Sequence, residues 1–252
     1  MSPHDPGSPA AELLPEPARK WIRPIAGGDG TGTTVVCLPH AGGSAGVFSA
    51  WADHLPSGLR VLGVQYPGRA DRRDEPMPDD LPDLAQQIAF SLQWLDGPYT
   101  LLGHSMGAVL AYETCRKLAG LGIAGPDHLV VSASPPPDHP AAAGHDETST
   151  DVSELPASVT GDDTAREHFE EVIAQDLRLL RGYETSNEPI EPPLTCLHNA
   201  EDPDMDQDIA LGWQKFTTSA FHSAELPGGH FALFRDPAST WAALGREVGL
   251  RA

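Results

Sequence analysis

The sequence is poor in basic residues and cysteines and has no long hydrophobic run. Its 16 Lys and Arg stand against 36 Asp and Glu, which gives a formal net charge of -20. Nucleic acids and anionic membrane surfaces both bind basic patches, so this charge argues against either as a partner. No apolar run approaches the roughly 18 residues of a membrane span, and residues 1–30 contain no signal-type apolar segment. We therefore expect a soluble, cytoplasmic protein.

The three cysteines, Cys37, Cys115 and Cys196, lie too far apart for a CxxC motif or a disulfide framework. Each one lies in an apolar run, which predicts a small buried hydrophobic side chain rather than a metal ligand. We expect no metal site and no bound cofactor.

What the sequence does contain is a series of short apolar runs that alternate with helical patterns. The run TTVVCL at 33–38 is typical of a strand buried on both faces. Similar runs lie at 59–66, 99–103, 128–134 and 194–199, with a weaker one at 221–226. Helices are predicted at 79–95, 106–119 and 237–248. This alternation predicts the α/β class, with a mostly parallel central sheet and helices on both faces.

Two segments interrupt that alternation. Residues 1–20 carry five prolines and no periodic pattern, so we expect a disordered tail and a domain over 21–252. Residues 135–163 are rich in Pro, Asp, Ser and Thr and precede a helical pattern. The apolar residues that share one face of that helix are Phe169, Val172, Ile173, Leu177 and Leu180. A polar insertion of this length in an α/β domain is typical of a lid, which we predict at about 135–185.

The stretch YTLLGHSMGAVLAY at 99–112 places Ser105 between two glycines where a predicted strand meets a predicted helix. This is the pattern of a nucleophile elbow, GxSxG, in which a sharp turn exposes the serine hydroxyl. Any side chain at position 103 or 107 would collide with neighbouring atoms in such a turn, and Gly103 and Gly107 avoid this. Ser105 is therefore the predicted nucleophile.

A serine hydroxyl needs a general base, and in this arrangement an acid and then a histidine follow the serine along the chain. Of the late histidines, His222 falls within a strand pattern, whereas His230 follows LPGG on a loop and is the predicted base. The acid is expected just beyond the strand at 194–199. Asp202 is our first choice, followed by Asp204 and Glu201.

The oxyanion formed during acyl transfer needs two hydrogen-bond donors. One is predicted to be the N–H of Met106, the residue after the nucleophile, and the other comes from the loop PHAGGS after the first buried strand. We choose Ala41 as that second donor. We interpret His40 and His104 as structural residues.

Four motifs together resemble those of type II thioesterases, the α/β-hydrolase enzymes of polyketide and nonribosomal peptide assembly lines. They are PHAGG at 39–43, YPGR at 66–69, GHSMG at 103–107 and GGHF at 228–231. The resemblance extends from Trp21 to the last helix. It implies hydrolysis of stalled or aberrant acyl groups from the phosphopantetheine arm of an acyl or peptidyl carrier protein. We expect the enzyme to act as a monomer, without a cofactor of its own.

The resemblance also assigns residues. It places the nucleophile on Ser105, the acid on Asp202, the base on His230 and the oxyanion donors on Ala41 and Met106. Residues 135–185 occupy the lid position, so the resemblance implies a substrate chamber lined by Phe169, Val172, Ile173 and Leu177. Within this segment only AQDLRLLRGY at 174–183 resembles the family.

Several alternatives remain at this stage. A carboxylesterase or an acyltransferase would use the same triad, and a binding protein could be built on an inactive hydrolase scaffold. Hydrolases with an aspartate nucleophile are disfavoured because Ser105 stands at the elbow. Carrier proteins are usually acidic, so Arg69, Arg72 and Arg73 are a candidate docking cluster; the alternative is a solvated loop neutralised by nearby aspartates.

Overall fold

The computed structural model describes residues 14–27, 32–143 and 163–250. A seven-stranded sheet with the order β1-β3-β2-β4-β5-β6-β7 runs through these residues. Its strands are β1 (Ile22–Gly27), β2 (Thr33–Leu38), β3 (Leu59–Val64), β4 (Tyr99–His104), β5 (His128–Ser132), β6 (Leu194–Asn199) and β7 (Phe221–Leu226). Strand β1 pairs antiparallel with β3, and the other pairs are parallel, as predicted.

The register places the ends of the central strands at one edge of the sheet. Leu38 at the end of β2 pairs with Gly103 of β4, and His104 pairs with Ser132 at the end of β5. Because parallel strands share their direction, the loops after β2, β4, β6 and β7 all leave from this carboxyl edge. The predicted site residues on those loops therefore start from neighbouring positions.

Helices cover the sheet. They are α1 (Glu16–Arg19), α2 (Leu81–Leu92), α3 (Met106–Leu121), α4 (Asp163–Arg181), α5 (Gln207–Leu211), α6 (Ala232–Arg235) and α7 (Pro237–Glu247). Short 3₁₀ segments span Ala45–His54, Ala70–Arg72, Pro140–Ala143 and Gly212–Phe216. Helix α2 begins where the sequence predicts, because the Asp80 carboxylate accepts the Asp83 N–H at 2.7 Å.

Alternate residues of the buried strands face two separate apolar cores. Val36 and Leu38 of β2 join α2 and α3 in one core. Val35 and Cys37 join the 3₁₀ segment Ala45–His54 and α7 in the other. The predicted cover of helices on both faces is confirmed. The three cysteines are buried and free, as predicted, and burial raises the pKa of each thiol.

The predicted disordered tail is wrong for its last part. Residues 14–20 include helix α1, and Ala18 is fully buried while Leu14 packs against the core. Proline is compatible with the first turn of a helix, so Pro15 and Pro17 permit this short turn rather than prevent it. Residues 1–13, where the rest of the predicted tail falls, lie outside the described residues.

The polar part of the predicted insertion falls mostly on residues 144–162, which lie outside the described residues. The following helix is present as α4, as the apolar periodicity predicts. Among the described ranges, no helix combines the length and apolar character needed to cross a membrane.

Candidate active site

The turn between β4 and α3 requires glycine at both flanking positions. A Cβ atom at Gly103 would lie 2.0 Å from the carbonyl oxygen of Gly107. A Cβ atom at Gly107 would lie 2.2 Å from the Leu38 oxygen, at the end of the neighbouring strand. Both positions are blocked by backbone, which cannot move aside as a flexible side chain can. This steric reason was the one predicted from the sequence.

Ser105 occupies a conformation that residues other than glycine rarely adopt, with φ 54° and ψ −121°. Its backbone is held on both sides. The Ser105 N–H donates to the Ser132 oxygen at 2.8 Å, and its carbonyl accepts the Ala108 N–H at 2.9 Å. Strained residues of this kind are found where function requires a particular side-chain direction. The Ser105 side chain is half-buried at the start of α3.

The glycine requirement gives a stability prediction with a control on the same helix. Gly107→Ala should destabilise the fold by at least ~3 kcal/mol, because an overpacked site must shift backbone. Gly120 lies in the exposed last turn of α3 with no atom near an added Cβ. Gly120→Ala should therefore stabilise by up to ~1 kcal/mol. Urea unfolding of both variants measures the difference, and equal stabilities would contradict the proposed steric block.

The structure brings His230 and Asp202 together from two different loops. The His230 Nδ1 atom lies 2.8 Å from Asp202 Oδ2. The aspartate side chain is 1% exposed, whereas that of the histidine is 34% exposed. A buried carboxylate on Nδ1 leaves the outer Nε2 atom of the ring as the one that accepts a proton. The runner-up Asp204 instead donates its backbone N–H to Asp202 Oδ1 at 3.1 Å, and Glu201 is exposed.

Asn199, which the sequence analysis did not single out, joins the loops that carry this pair. It is the last residue of β6 and is 2% exposed. Its Nδ2 donates to the Gly229 oxygen, next to His230. The Glu201 N–H also donates to the Gly228 oxygen, at 3.0 Å. Its position in the sequence could have indicated this role, because Asn199 is a polar amide at the end of a predicted strand, close to the predicted acid.

Two further histidines lie in series next to His230, with His104 against its ring and His40 against His104. The centroid of the fully buried His104 ring lies 5.3 Å from that of His230 and 6.0 Å from that of His40. His104 Nδ1 contacts Ser132 Oγ at 3.2 Å. Burial holds the pKa of His104 well below its ordinary value and lowers that of His40 to about 4. Both rings are therefore neutral near pH 7. Because His104 adjoins Ser105, the ring contact also places His230 beside the elbow.

Two backbone N–H groups of the loop after β2 are held by acceptors within the protein. The Gly43 N–H donates to the His40 oxygen at 2.9 Å, and the Gly42 N–H donates to Asp176 Oδ2 at 2.7 Å. Within residues 14–27, 32–143 and 163–250, no acceptor pairs with the N–H of Ala41 or of Met106. These two N–H groups remain the predicted oxyanion donors.

The predicted chamber residues of α4 divide into two groups. An added Cβ at Gly42 would lie 2.5 Å from Ile173 Cγ1 and 3.1 Å from Phe169 Cε2, so both side chains cover the loop after β2. Leu177 packs against the core, and Val172 is buried. Of the four predicted residues, Phe169 and Ile173 therefore lie against the loop that carries the predicted donor Ala41.

The predicted docking cluster is wrong for two of its three arginines. Arg69 and Arg72 are each 4% exposed. The Arg72 guanidinium stacks 4.0 Å from the centre of the Trp21 ring and donates to the Gln65 oxygen at 2.7 Å. The alternative of a solvated loop is wrong for the same two residues. Their charges are satisfied inside the protein, so they cannot receive a partner.

Comparison with known proteins identifies the family of this chain. Residues 33–242 match the family model described as Thioesterase domain. The "Probable cadicidin biosynthesis thioesterase" of Streptomyces griseus is 35% identical over 233 residues, which are 86% of this chain and 62% of that protein. The chain thus spans less than two thirds of that relative. "Thioesterase PikA5" of Streptomyces venezuelae is 32% identical, over 84% of this chain and 80% of that protein.

A solved structure supports the same assignment. The type II thioesterase BorB from the borrelidin biosynthetic cluster is 30% identical, with a TM-score of 0.75 over 90% of this chain and 97% of that one. The predicted α/β-hydrolase fold and the resemblance to type II thioesterases are confirmed. With its family match covering most of the chain, this protein belongs to the thioesterase domain family.

Proposed function

We propose that the protein hydrolyses acyl thioesters held on the phosphopantetheine arm of acyl or peptidyl carrier proteins. In this proposal Ser105, His230 and Asp202 form the triad, and the acyl group passes through an acyl-serine. The observation that carries it is the buried Asp202 carboxylate on His230 Nδ1, beside a strained serine at the elbow. The names of the relatives, which are biosynthetic thioesterases, support the same substrate class.

In this mechanism each group has one step. Asp202 accepts the Nδ1 proton, so His230 Nε2 is free to take the proton of the Ser105 hydroxyl as Oγ attacks the thioester carbonyl. The N–H groups of Ala41 and Met106 stabilise the negative oxygen that forms. His230 then returns the proton to the departing sulfur. In the second half, His230 activates water, which releases the free acid from Ser105.

A thioester suits this site because its leaving group is stable. The departing thiol has a pKa of ~8.5, far below the pKa of an amine N–H, which would have to be lost for an amine to leave as its anion. The C–S bond therefore breaks with little protonation of sulfur. His230 needs only to share its proton with the thiolate. No metal is needed in this mechanism, and the protein's own residues supply every proton transfer.

The test is mass spectrometry of a panel of acylated carrier proteins, with matched free acyl thioesters and oxygen esters. We expect the carrier to lose the acyl mass while one equivalent of free acid appears. Hydrolysis of the free esters with the carrier left acylated would overturn the proposal in favour of a carboxylesterase. Transfer of the acyl group to an added alcohol or amine, with no free acid, would identify an acyltransferase.

The contact between α4 and the loop after β2 predicts a role in acyl-chain selection. Phe169→Ala should open space beside Gly42 and shift preference towards longer acyl chains. One methylene in an apolar pocket is worth ~1–3 kcal/mol, so the shift should be ~10- to 200-fold. The measurement is kcat/KM for acetyl, butyryl, hexanoyl and octanoyl thioesters.

Leu180 provides the control for this prediction, because it belongs to the same helix but is buried in the core. Leu180→Ala should lower stability and leave the ratios between substrates unchanged. If Phe169→Ala also scales all four substrates equally, then α4 packs on the domain without contacting the acyl chain.

A further inference from the structure

Helix α4 is tied to the loop after β3 by an ion pair that water does not reach. The side chains of Arg69 and Asp176 are 5% and 0% exposed. The pair is bidentate, with Nη1–Oδ2 and Nη2–Oδ1 distances of 2.7 Å each. Removing two charges from water is costly, and a well-packed apolar pair of the same volume is often at least as stable. Stability alone therefore does not account for this pair.

Two further hydrogen bonds of the pair reach the loop that follows β2. Asp176 Oδ2, already paired with Arg69, also accepts the Gly42 N–H at 2.7 Å. Arg69 Nη1 donates to the Gly43 oxygen at 3.1 Å. The Asp176 carboxylate thus holds the N–H of Gly42, and the Arg69 guanidinium holds the carbonyl of Gly43, the next residue. Three segments that are distant in sequence, at 42–43, 69 and 176, meet at this point.

These contacts fix the direction of the peptide next to the proposed oxyanion donor. Gly42 has φ +76°, a region open to glycine, so the loop has freedom that other residues would not have. With the Gly42 N–H held by Asp176, the peptide that joins Ala41 to Gly42 is fixed, and within the described residues the Ala41 N–H itself has no acceptor. An oxyanion donor is effective only when it is already directed at the site where charge develops.

We propose that Asp176, held in place by Arg69, is a positioning residue for the oxyanion loop. It acts through the Gly42 N–H and does not touch the substrate. This inference rests on the proposed function, because it takes Ala41 as a donor to the thioester oxygen. It makes the rate of acylation depend on a carboxylate of α4, the helix of the predicted lid.

Two variants separate positioning from stability. Asp176→Asn keeps the shape but removes the charge, and its single amide oxygen cannot serve both the two-pronged Arg69 guanidinium and the Gly42 N–H as the two carboxylate oxygens do. The double variant Arg69→Met with Asp176→Leu removes both charges and keeps an apolar filling, yet it also removes the acceptor of the Gly42 N–H. The loss of one preorganised oxyanion donor costs ~10²- to 10³-fold in kcat. Since the donor here is misdirected rather than deleted, we expect ~10- to 100-fold lower kcat in both variants, with KM changed less than ~3-fold.

Glu113 offers a matched control away from the site. Its carboxylate is also buried, at 3% exposure, and pairs with Arg116 at 2.7 Å and with the Tyr183 hydroxyl at 2.8 Å. Glu113→Gln should lower the melting temperature and leave kcat within ~2-fold of wild type. All rates are measured on a free hexanoyl thioester and divided by the concentration of sites titrated to completion with a serine-directed phosphonate.

The outcomes are distinct. Folded Asp176 variants with wild-type kcat overturn the proposal, as does an effect confined to KM. Failure of both variants to fold, while Glu113→Gln folds, assigns the pair a structural role and also overturns it. Failure of the proposed function looks different: wild type would then leave acyl carrier proteins intact, or Ser105→Ala would stay active. The free thioester reports on the loop independently of any carrier.

Discussion

Replacing Ser105 by alanine is expected to reduce kcat for thioester hydrolysis by several orders of magnitude, up to the ~10⁶-fold loss found when a triad nucleophile is removed. The serine stands in a strained turn whose flanking positions must be glycine, because a Cβ atom added at either one would collide with backbone oxygen. The variant keeps this turn and removes only the oxygen that would carry the acyl group. Folding should change little, so the melting temperature checks that the loss is chemical.

Covalent labelling identifies the nucleophile directly. A serine-directed phosphonate should add once to the wild type, and peptide mapping should place it on Ser105. Ser132 is a nearby control, because its hydroxyl lies at the end of the neighbouring strand and contacts His104. Ser132→Ala should retain the label and Ser105→Ala should lose it. A label on another residue, or near-normal turnover by Ser105→Ala, would remove Ser105 from the mechanism.

The features predicted correctly from the sequence depend on local patterns. Six predicted runs correspond to β2 through β7. The runs of β2 to β6 are the stronger ones because those strands are largely buried, whereas β7 is mostly half-buried or exposed and gave the weaker run. Two of them end earlier than predicted: β3 at Val64 and β5 at Ser132. The elbow was recognisable because Gly103 and Gly107 are needed by atoms within the same turn and its neighbouring strand. His230 was distinguishable from His222, which lies exposed within β7.

The features that were missed depend on contacts between distant segments. The sequence predicted a surface cluster at Arg69 and Arg72, because charged residues usually are solvated. In the structure Arg69 is buried and pairs with the carboxylate of Asp176, 107 positions away, and the Trp21 ring covers Arg72. No local pattern encodes such pairings. The same reason applies to Asn199, whose amide role depends on where the loop after β7 returns to the sheet.

The choice among three acidic residues on one loop can be decided by a conservative substitution. Asp202→Asn is expected to lower kcat ~10⁴-fold with little change in KM, because an amide at this position can donate to His230 Nδ1 and force the proton onto Nε2. That tautomer cannot accept the serine proton. The contact at stake is the 2.8 Å hydrogen bond from His230 Nδ1 to the buried Asp202 Oδ2.

Asp204→Asn is the matched control, since it makes the same chemical change two residues further along the same loop. Asp204 supports the acid through its backbone N–H, which the substitution leaves in place. The loss in kcat of Asp204→Asn should therefore stay below ~10-fold, far less than the ~10⁴-fold loss expected when Asp202→Asn forces the wrong histidine tautomer. Steady-state kinetics on one free thioester measures both variants under the same conditions. The reverse order of the two losses would show that the working loop presents Asp204 to His230, and would require a register for residues 199–205 different from that of the structure.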